Sequence, residues 1–282
     1  MTIPRSALQR IVALALEEDL GRGDVTTDAC IERTRAGQAS MRARQRLVWC
    51  GADPVVEVFR QVDPAIETRV LRPEGTWVEP GDAVVEVRGG AAGLLGGERV
   101  ALNFAQRMSG VATLTRRFVD ALPPGSRTRI TDTRKTTPGL RAFERHAVRC
   151  GGGHNHREDL AAAVLIKDNH LVAAGGVGAA IERARAFATH TSRIECEVGT
   201  LEELREALAA VADVVLLDNF DDATVAEAVR IVAGRARVEV SGGITLERVP
   251  ALARAGAEII SVGALTHSAP AVDLGLDWVD GA

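Results

Sequence analysis

The chain has 282 residues, 46% of them hydrophobic, which is enough for one large α/β barrel or two smaller domains. A formal net charge of −4 and a pI near 5.9, without a basic tail or a basic stripe, argue against nucleic acid as a partner. No apolar run approaches the ~20 residues of a membrane span, and the N-terminus has no signal-peptide core, so we expect a cytoplasmic protein.

The four cysteines, Cys30, Cys50, Cys150 and Cys196, are scattered singly along the chain, with no Cys-x-x-Cys pair. This spacing indicates neither a disulfide framework nor a thiolate zinc site. We therefore interpret all four as reduced structural residues.

The first part of the chain predicts a small α+β domain, assigned to residues 1–110 and expected to pack the C-terminal tail 268–282 as well. Apolar residues at helical spacing predict a helix over 5–20, which ends at Gly21. The segment GRGDVTTD that follows is interpreted as a turn, not as a ligand site. The pattern then predicts a strand over 38–50, a helix over 53–62, a strand over 66–71 and a hairpin-like unit turned at Pro80-Gly81-Asp82.

A long helix is predicted from Gly97 to the breaker Pro123-Pro124-Gly125, and we interpret it as the bridge between two domains. After it, apolar β-branched runs recur every 20 to 30 residues or so, as in successive βα units of a parallel barrel or a doubly wound sheet. We assign residues 111–267 to this second domain. Six strands are predicted, near 129–132, 164–167, 194–198, 214–218, 238–241 and 259–262.

Each of these strands ends in polar residues, and in α/β barrels the chemistry gathers at the C-terminal strand ends. One such residue could be an ordinary helix cap, but six in succession favour a functional site. In chain order the strand ends supply Asp132 with Arg134 and Lys135, then Lys167 and Asp168, Glu195 and Glu197, Asp218, Ser241-Gly242-Gly243, and Gly263.

The last two strands carry glycine-rich ends, VEVSGGIT and IISVGALTHS. Glycine lets the backbone approach a ligand closely, and backbone N–H groups at such loops bind phosphate in barrel proteins. Plain glycine turns between strand and helix are the alternative. The tandem occurrence favours a phosphorylated ligand.

Cationic residues concentrate between Asp132 and His170. The only two lysines of the chain, Lys135 and Lys167, lie here, where a compact ammonium differs from the planar guanidinium used elsewhere. We interpret Glu144, Arg145 and Arg149 as a solvated helix face. Arg134, Lys135, His156, Arg157 and Lys167 follow strands or the run GGGHNHR, which predicts an anionic substrate with several acidic groups. A zinc site at His154 and His156 is disfavoured, since no third ligand has the usual spacing.

With these residues assembled, the chain resembles the quinolinate phosphoribosyltransferase family over nearly its whole length. Most of the resemblance rests on three segments, DTRKTTPGLR, GGGHNHR and LIKDNH. Five further segments also match, and all stand in the order found in the family: GRGDVTT, ERVALNFAQRMSGVAT, LLDNF, SGGIT and SVGALTHS. The resemblance implies an incomplete, seven-stranded α/β barrel with a sandwich-like N-terminal domain. It implies transfer of phosphoribose from phosphoribosyl pyrophosphate to quinolinate, giving nicotinate mononucleotide, pyrophosphate and CO2 for NAD synthesis.

The resemblance also implies the roles of particular residues, carried over position by position. Arg134, His156, Arg157 and Lys167 hold the two quinolinate carboxylates, and Arg99 completes the set from the partner of a homodimer. Lys135 faces the leaving pyrophosphate, and Ser241, Gly242, Gly243 and Gly263 bind the 5′-phosphate. Glu197 and Asp218 stabilise the developing positive charge and bind the ribose hydroxyls or Mg2+, the implied cofactor.

Two alternatives stay open at the level of sequence. A related phosphoribosyltransferase acting on a different acid would need fewer cations in its site. A non-catalytic phosphosugar-binding barrel would gain nothing from carboxylates such as Glu197 and Asp218 in a cleft for polyanions.

Overall fold

The computed structural model describes residues 2–279, which form two compact units. The N-terminal unit contains the described residues of Met1–Arg116, Thr136–Gly152 and Ala264–Ala282, and the barrel unit contains Arg117–Lys135 and Gly153–Gly263. This division differs from the predicted boundary at residue 110, because residues 136–152 leave the barrel unit. Their helix packs in the N-terminal unit through buried Phe143, whose ring stacks on Phe104 at 5.4 Å.

The N-terminal unit is built on an antiparallel sheet of four strands in the order β12-β1-β5-β3. Its strands are β1 (Ala36–Ala43), β3 (Glu67–Val70), β5 (Ala83–Gly90) and β12 (Leu274–Trp278). Ala39, Met41 and Ala43 are fully buried, as the alternation in the sequence predicts. The C-terminal strand β12 pairs with β1, and residues 280–282 of the predicted tail lie outside the described residues.

The predicted hairpin at Pro80-Gly81-Asp82 is wrong in its pairing, although its turn is present. Asp82 closes the turn by accepting a hydrogen bond from the Glu79 amide at 2.9 Å. The strand before the turn, β4 (Trp77–Val78), pairs with β2 (Leu47–Val48), whereas β5 after the turn joins the main sheet. The chain therefore changes sheets at a turn that resembles a hairpin in sequence.

Six helices accompany these strands, one of which crosses the boundary between the units. They are α1 (Arg5–Leu20), α2 (Val25–Cys30), α3 (Ala52–Val62), α4 (Ala91–Asp120), α5 (Arg141–Cys150) and α11 (Ala264–His267). Asp24 caps α2 by accepting from the amides of Thr26 and Thr27, which gives the GRGDVTT segment a structural role.

Helix α4 begins six residues before the predicted start at Gly97. The sequence AAGLLGG contains three glycines, whose low helix propensity disfavours a helix here. Tertiary packing explains the difference, because a Cβ on Gly97 would meet the ring of Phe59 at 2.9 Å and one on Gly93 would meet Ile66 at 3.0 Å. These glycines let α4 approach its neighbours closely.

The barrel unit contains a parallel sheet of six strands in the order β6-β11-β10-β9-β8-β7. All six predicted strands are confirmed to within one residue at each end. They are β6 (Arg129–Thr131), β7 (Val164–Ile166), β8 (Ile194–Val198), β9 (Val214–Asp218), β10 (Arg237–Ser241) and β11 (Ile259–Ser261), with helices α6 (Asp168–Ala174), α7 (Val177–Phe187), α8 (Leu201–Ala209), α9 (Asp222–Val232) and α10 (Val249–Ala255) between them.

The position of a seventh barrel strand is occupied by a single parallel bridge between Thr131 and His154. His154 donates its amide to Ile130 at 2.8 Å and accepts from the amide of Asp132 at 3.1 Å. Among the described residues no strand pairing joins this bridge to β7, so the sheet stays open between them. The resemblance implied seven strands, and the seventh escaped the sequence pattern because GGGHNHR has no apolar run.

None of the helices between residues 2 and 279 combines the length and apolar character of a membrane-spanning segment.

Candidate active site

The strand ends of the barrel unit surround a cavity of about 550 Å3, here called the barrel cavity. Ten of the twelve residues assigned to the site from sequence line it. They are Arg134, Lys135, His156, Arg157, Lys167, Glu197, Asp218, Ser241, Gly242 and Gly243, joined by Thr133, Leu165, Leu216, Asn219, Glu239 and Ser261. Side chains from six strands and the His154 bridge segment thus meet at one end of the sheet, as parallel pairing requires.

Two of the assigned residues do not line the cavity. Arg99 lies exposed on α4 in the N-terminal unit. Gly263 follows β11, and the cavity is lined at that strand by Ser261.

One side of the barrel cavity gathers like charges. Burial and the adjacent charge of Arg134 lower the pKa of Arg157 from its usual value. The guanidinium of Arg157 is anchored by its Nη1, which donates to the carbonyl of Ala163 at 3.0 Å. Two guanidinium groups that line one cavity favour an anion between them, and planar guanidinium suits carboxylate groups.

Lys167 and Glu197 form an ion pair between the ends of the neighbouring strands β7 and β8. The Lys167 ammonium donates to Glu197 Oε2, and its side chain is 45% exposed while that of Glu197 is 12% exposed. Lys167 immediately precedes α6, and its amide donates to Nδ1 of His170 at 2.9 Å. The fixed backbone and exposed side chain leave the ammonium able to exchange Glu197 for a substrate anion.

His156 is held between two buried carboxylates. Its Nε2 lies 3.5 Å from Glu195 Oε2 and 3.4 Å from Glu239 Oε1. Burial alone would lower the pKa of His156, but hydrogen bonds to Glu195 and Glu239 outweigh burial and raise the pKa to about 10. The amide of Arg157 lies 2.7 Å from Nδ1 and favours the neutral ring, but one amide dipole is weaker than two carboxylates. The two carboxylates therefore favour the imidazolium, and the amide contact at Nδ1 opposes it.

The two carboxylates differ although they share one histidine. Burial, reinforced by the charge of Glu239, raises the pKa of Glu195. For Glu239, burial acts upward but is outweighed by hydrogen bonds from His156 and Ser261, which lower its pKa. Glu239 is thus the more firmly ionised partner of His156.

Glu239 and Ser261 were missed from the sequence, and Glu195 was noted only as a strand-end residue without a role. A signal was present, because side chains two residues apart in a strand share a face. Glu195 precedes Glu197 by two residues, and Glu239 precedes Ser241 by two. Both glutamates lie one layer further from the strand ends, on the face that supplies the cavity.

Asp132 has a structural role at the end of β6. Its side chain is fully buried and accepts from the His156 amide at 2.7 Å and from Asn155 Nδ2 at 2.6 Å. These bonds fix the GGGHNHR segment beside β6. Asp132 therefore positions His156 and Arg157, and it does not line the cavity.

The glycine turn after β10 faces the carboxylate side. Gly242 has φ +87°, and a Cβ there would meet Asn219 Oδ1 at 2.2 Å, so only glycine fits. Arg248 Nη1 donates to the carbonyls of Gly242 at 3.3 Å and Gly243 at 3.0 Å. Because N–H and C=O point in opposite directions across a trans peptide, the amides of Gly243 and the next residue point away from Arg248. The turn thus offers N–H groups to an anion.

Glu197 and Asp218 are the carboxylates assigned to Mg2+. Both line the cavity and supply hard oxygen donors, which Mg2+ prefers. Asp218 Oδ2 accepts from Asn219 Nδ2 at 2.8 Å, whereas Glu197 is already paired with Lys167. The donor set fits the ion, with Asp218 the less committed ligand.

An open parallel barrel whose cavity gathers guanidinium, ammonium and imidazole groups together with carboxylates and a glycine turn defines an α/β-barrel protein with a site for polyanions. Comparison with known proteins identifies its family. Two family models match, "Quinolinate phosphoribosyl transferase, N-terminal domain" over residues 24–109 and the corresponding C-terminal domain over 111–277. The chain belongs to the quinolinate phosphoribosyl transferase family.

Relatives and solved structures agree with this assignment. The chain is 42% identical to a probable nicotinate-nucleotide pyrophosphorylase (carboxylating) of Bacillus subtilis, over 92% of this chain and 89% of the relative. It is 39% identical to a probable enzyme of the same name from Methanocaldococcus jannaschii, over 96% of each chain. The structure of the nicotinate-nucleotide pyrophosphorylase from Francisella tularensis matches with a TM-score of 0.93 and 38% identity, over 99% of this chain and 98% of that one.

Proposed function

We propose that this chain catalyses the reaction of quinolinate with phosphoribosyl pyrophosphate to give nicotinate mononucleotide, pyrophosphate and CO2. It is a glycosyltransferase of pyridine nucleotide biosynthesis leading to NAD. Family membership supports the reaction. The observation that supports assigning it to this site is that four cationic residues, Arg134, His156, Arg157 and Lys167, line one cavity.

Quinolinate carries two adjacent carboxylates on a pyridine ring, and the cationic side of the cavity matches them. Arg157 and Arg134 each offer a planar fork of N–H donors, while Lys167 offers a compact ammonium that leaves Glu197 when substrate arrives. His156 adds an N–H donor whose charge is maintained by Glu195 and Glu239. Binding orients the ring nitrogen toward the carboxylate side of the cavity.

Phosphoribosyl pyrophosphate occupies the opposite side. Its 5′-phosphate lies at Ser241, Gly242 and Gly243, with Gly263 assigned there by resemblance, and Lys135 at the exposed rim neutralises the departing pyrophosphate. As the bond from the anomeric carbon to pyrophosphate breaks, positive charge develops on the ribose. Glu197 and Asp218 stabilise that charge electrostatically. Mg2+, when bound with the pyrophosphate, supplies further neutralisation of its negative charge.

Decarboxylation follows from the chemistry of the first product. The pyridine nitrogen becomes cationic when it forms its bond to the ribose carbon. Loss of CO2 from the adjacent carbon leaves the electron pair in a ring orbital beside that positive nitrogen, and a proton then takes its place. The protein contributes by holding the pyridine ring in place while its cationic side chains release the departing carboxylate of the substrate.

Release of CO2 tests the activity directly. Purified protein with Mg2+, phosphoribosyl pyrophosphate and quinolinate labelled in the C2 carboxylate should release labelled CO2 together with nicotinate mononucleotide. Nicotinate, which lacks that carboxylate, is the control substrate. Turnover of nicotinate with none of quinolinate would favour a related phosphoribosyltransferase, and binding of both ligands without turnover would favour a non-catalytic barrel.

We also propose that the working unit is at least a homodimer. Large apolar side chains of the barrel unit are exposed at the open region of the sheet, where Leu160 and Phe187 line a groove of about 980 Å3 together with residues of β7. Leu160 is 70% exposed and Phe187 94%. Exposed apolar groups that share a groove mark interaction surfaces, and a second copy of the chain is the occupant we propose.

Arg99 would then act in the site of the partner. Subunits carrying Arg99→Ala or Lys167→Ala should each be inactive alone, because each dimer has two defective sites. A mixed dimer holds one site with both defects and one with neither, so co-expression should restore activity toward about half the normal value per mixed dimer. A mixture as inactive as its parents, with mixed dimers isolated by differential tags, would contradict a shared site.

A cytoplasmic location is part of the same proposal. All four cysteines are free, which suits a reducing compartment. Fractionation of cells that produce the untagged protein, with marker enzymes for each fraction, tests the location.

A further inference from the structure

Four potential metal ligands from separate segments converge inside the N-terminal unit. Cys50 follows β2, Glu74 precedes β4, and His146 and Cys150 lie on α5. Their ligand atoms all lie within 4.8 Å of one another. We call these four residues the thiol cluster.

The local structure fixes each ligand from outside the cluster. His146 and Cys150 are four residues apart on α5 and so share one helix face. Cys50 is held by Ser109, whose Oγ accepts from the Cys50 amide at 2.9 Å and donates to its carbonyl at 2.8 Å. Cys50 is fully buried, so its thiol has no access to solvent.

The carboxylate of Glu74 is oriented by the backbone. Its Oε1 accepts from the amides of Gly51 at 2.6 Å and Ala52 at 2.9 Å, at the start of α3. Its Oε2 is thereby directed to His146 Nε2 at 2.7 Å and Cys150 Sγ at 3.7 Å, while Cys150 Sγ lies 3.4 Å from His146 Nε2. Oε1 of Glu74 is therefore bound by backbone amides, and Oε2 faces the other residues of the thiol cluster.

We propose that the thiol cluster is a structural zinc site with ligands Cys50, Glu74, His146 and Cys150. Two sulfurs, one imidazole nitrogen and one carboxylate oxygen form a four-donor set for a borderline-soft divalent ion. Zinc bonds of about 2.0 to 2.3 Å in a tetrahedron place donors roughly 3.3 to 3.8 Å apart. Cys150 Sγ lies within this range of His146 Nε2, at 3.4 Å, and of Glu74 Oε2, at 3.7 Å. The 2.7 Å between His146 Nε2 and Glu74 Oε2 must widen, and side-chain rotation provides that movement.

Binding replaces protons by the ion. Both thiols release their protons as the ion enters, and the proton that His146 Nε2 shares with Glu74 Oε2 is released with them or moves to Nδ1, so that Nε2 and Oε2 each direct a lone pair to zinc. Four protein ligands leave no open position for a substrate or water. The site is therefore a staple that ties α5 to the segments around β2 and β4 within the N-terminal unit.

A disulfide between Cys50 and Cys150 is the competing chemistry. It would use two of the four groups and leave unexplained why Glu74 and His146 are directed to the same point. The spacing of ligands in the sequence did not indicate a metal, because only His146 and Cys150 are close neighbours along the chain and no Cys-x-x-Cys pair is present.

Metal content of the purified full chain is the first measurement. We expect about one equivalent of zinc per chain by mass spectrometry of the metal, reduced at least about tenfold in Cys50→Ser and Cys150→Ser. Cys30→Ser, which removes an exposed thiol outside the cluster, is the matched control and should keep full zinc. Full zinc in folded Cys150→Ser, or none in the wild type even after growth and refolding with zinc, would overturn the proposal.

A second measurement on the wild type avoids variants that fail to fold. Cobalt(II) exchanged into the protein should show intense thiolate-to-cobalt absorption and the visible bands of a tetrahedral site. Zinc should also protect Cys50 and Cys150, but not Cys30, from alkylation during mild urea exposure. A cobalt spectrum typical of oxygen-only ligands, or a Cys50–Cys150 disulfide in peptides from freshly purified protein, would refute the zinc site, the latter in favour of a redox pair.

Discussion

Two ion pairs in this chain, one in each unit, look alike in sequence and differ in what surrounds them. In the N-terminal unit, Arg107 Nη2 donates to Glu144 Oε1 at 2.6 Å, with side-chain exposures of 26% and 0%. In the barrel unit, Lys167 pairs with Glu197 at exposures of 45% and 12%. Both pairs join residues that lie far apart in the chain.

The difference lies in how many other bonds each pair has. Glu144 also accepts from the Thr137 amide at 3.0 Å and its hydroxyl at 2.7 Å, and Arg107 donates to the carbonyls of Thr266 and Ala269. Lys167 has the single carboxylate partner Glu197 among its described contacts. A saturated, buried pair maintains the fold, whereas a half-exposed pair with one bond can exchange its partner for a ligand.

The largest expected effect is on stability, from breaking the buried pair. Glu144→Gln keeps the shape but leaves Arg107 without its counter-charge, and should lower the free energy of unfolding by about 3 kcal/mol. Glu197→Gln, at the half-exposed pair, should cost less than about 1 kcal/mol. Urea unfolding measures both, with fluorescence of the three tryptophans, Trp49, Trp77 and Trp278, reporting on the N-terminal unit, which contains them all.

The comparison of the two pairs fails if Glu144→Gln is no more destabilising than Glu197→Gln. Circular dichroism, which reports on the secondary structure of both units, includes the barrel unit, which contains no tryptophan.

The next largest effect is on ligand binding and separates the cationic side of the cavity from the fold. Arg157→Ala and Lys167→Ala should each weaken quinolinate binding by roughly 2 to 5 kcal/mol, because a substrate carboxylate loses its partner in the cavity. Phosphoribosyl pyrophosphate binding and the urea midpoint should change little. Calorimetric titration of each ligand measures this, with exposed Arg205→Ala on α8 as control, and equal losses for both ligands would contradict the assignment.

A smaller effect is expected where charge is kept and only its shape changes. Lys135→Arg should raise the activation barrier by about 2 kcal/mol, because a planar guanidinium cannot place its charge where the ammonium meets the leaving pyrophosphate. The measurement is kcat/KM for phosphoribosyl pyrophosphate with quinolinate saturating. Arg205→Lys serves as the surface control, and near-normal turnover of Lys135→Arg would remove the point-charge role.

The sequence predicts the barrel unit better than the N-terminal unit, for a physical reason. Parallel strands buried on both faces give continuous apolar runs, and parallel pairing brings all their ends together, so residues next to each strand end fall in one cavity. That rule located eight of the cavity residues, and the cationic run GGGHNHR supplied two more, His156 and Arg157. It missed Glu195 and Glu239 as partners of His156, because they lie within strands and their role depends on a histidine from another segment.

In the N-terminal unit the decisive contacts are between distant segments, and local patterns were misleading there. Glu144 and Arg145 were predicted to be solvated, yet both are buried, and of that helix face only Arg149 is exposed. Their charges suggested solvent because Arg107, the partner of Glu144, lies on α4, 37 residues earlier. The thiol cluster and the early start of α4 were not predicted from the sequence because they, too, depend on contacts between distant segments.

The last prediction concerns pH and tests whether His156 belongs with the fixed or the exchangeable charges. Its pKa of about 10 lies above the ordinary histidine value of about 6.5. The stability that its charge contributes should therefore be fully present below about pH 6.5 and be lost as pH rises through about 10. Quinolinate binding should likewise show no histidine step between pH 6 and 8.

Removing one of the two carboxylates should lower the pKa of His156, with Glu239→Gln acting more strongly because Glu239 is the more firmly ionised partner. NMR titration of histidine-labelled protein measures this, with the His156 signal assigned by its loss in His156→Asn. Each unit by which the pKa falls corresponds to about 1.4 kcal/mol of lost interaction between imidazolium and carboxylate. A wild-type His156 with a pKa near 6.5 would show that the Arg157 amide outweighs both carboxylates. Quinolinate would then meet a neutral His156 ring, and the remaining cations of the cavity would be Arg134, Arg157 and the two lysines.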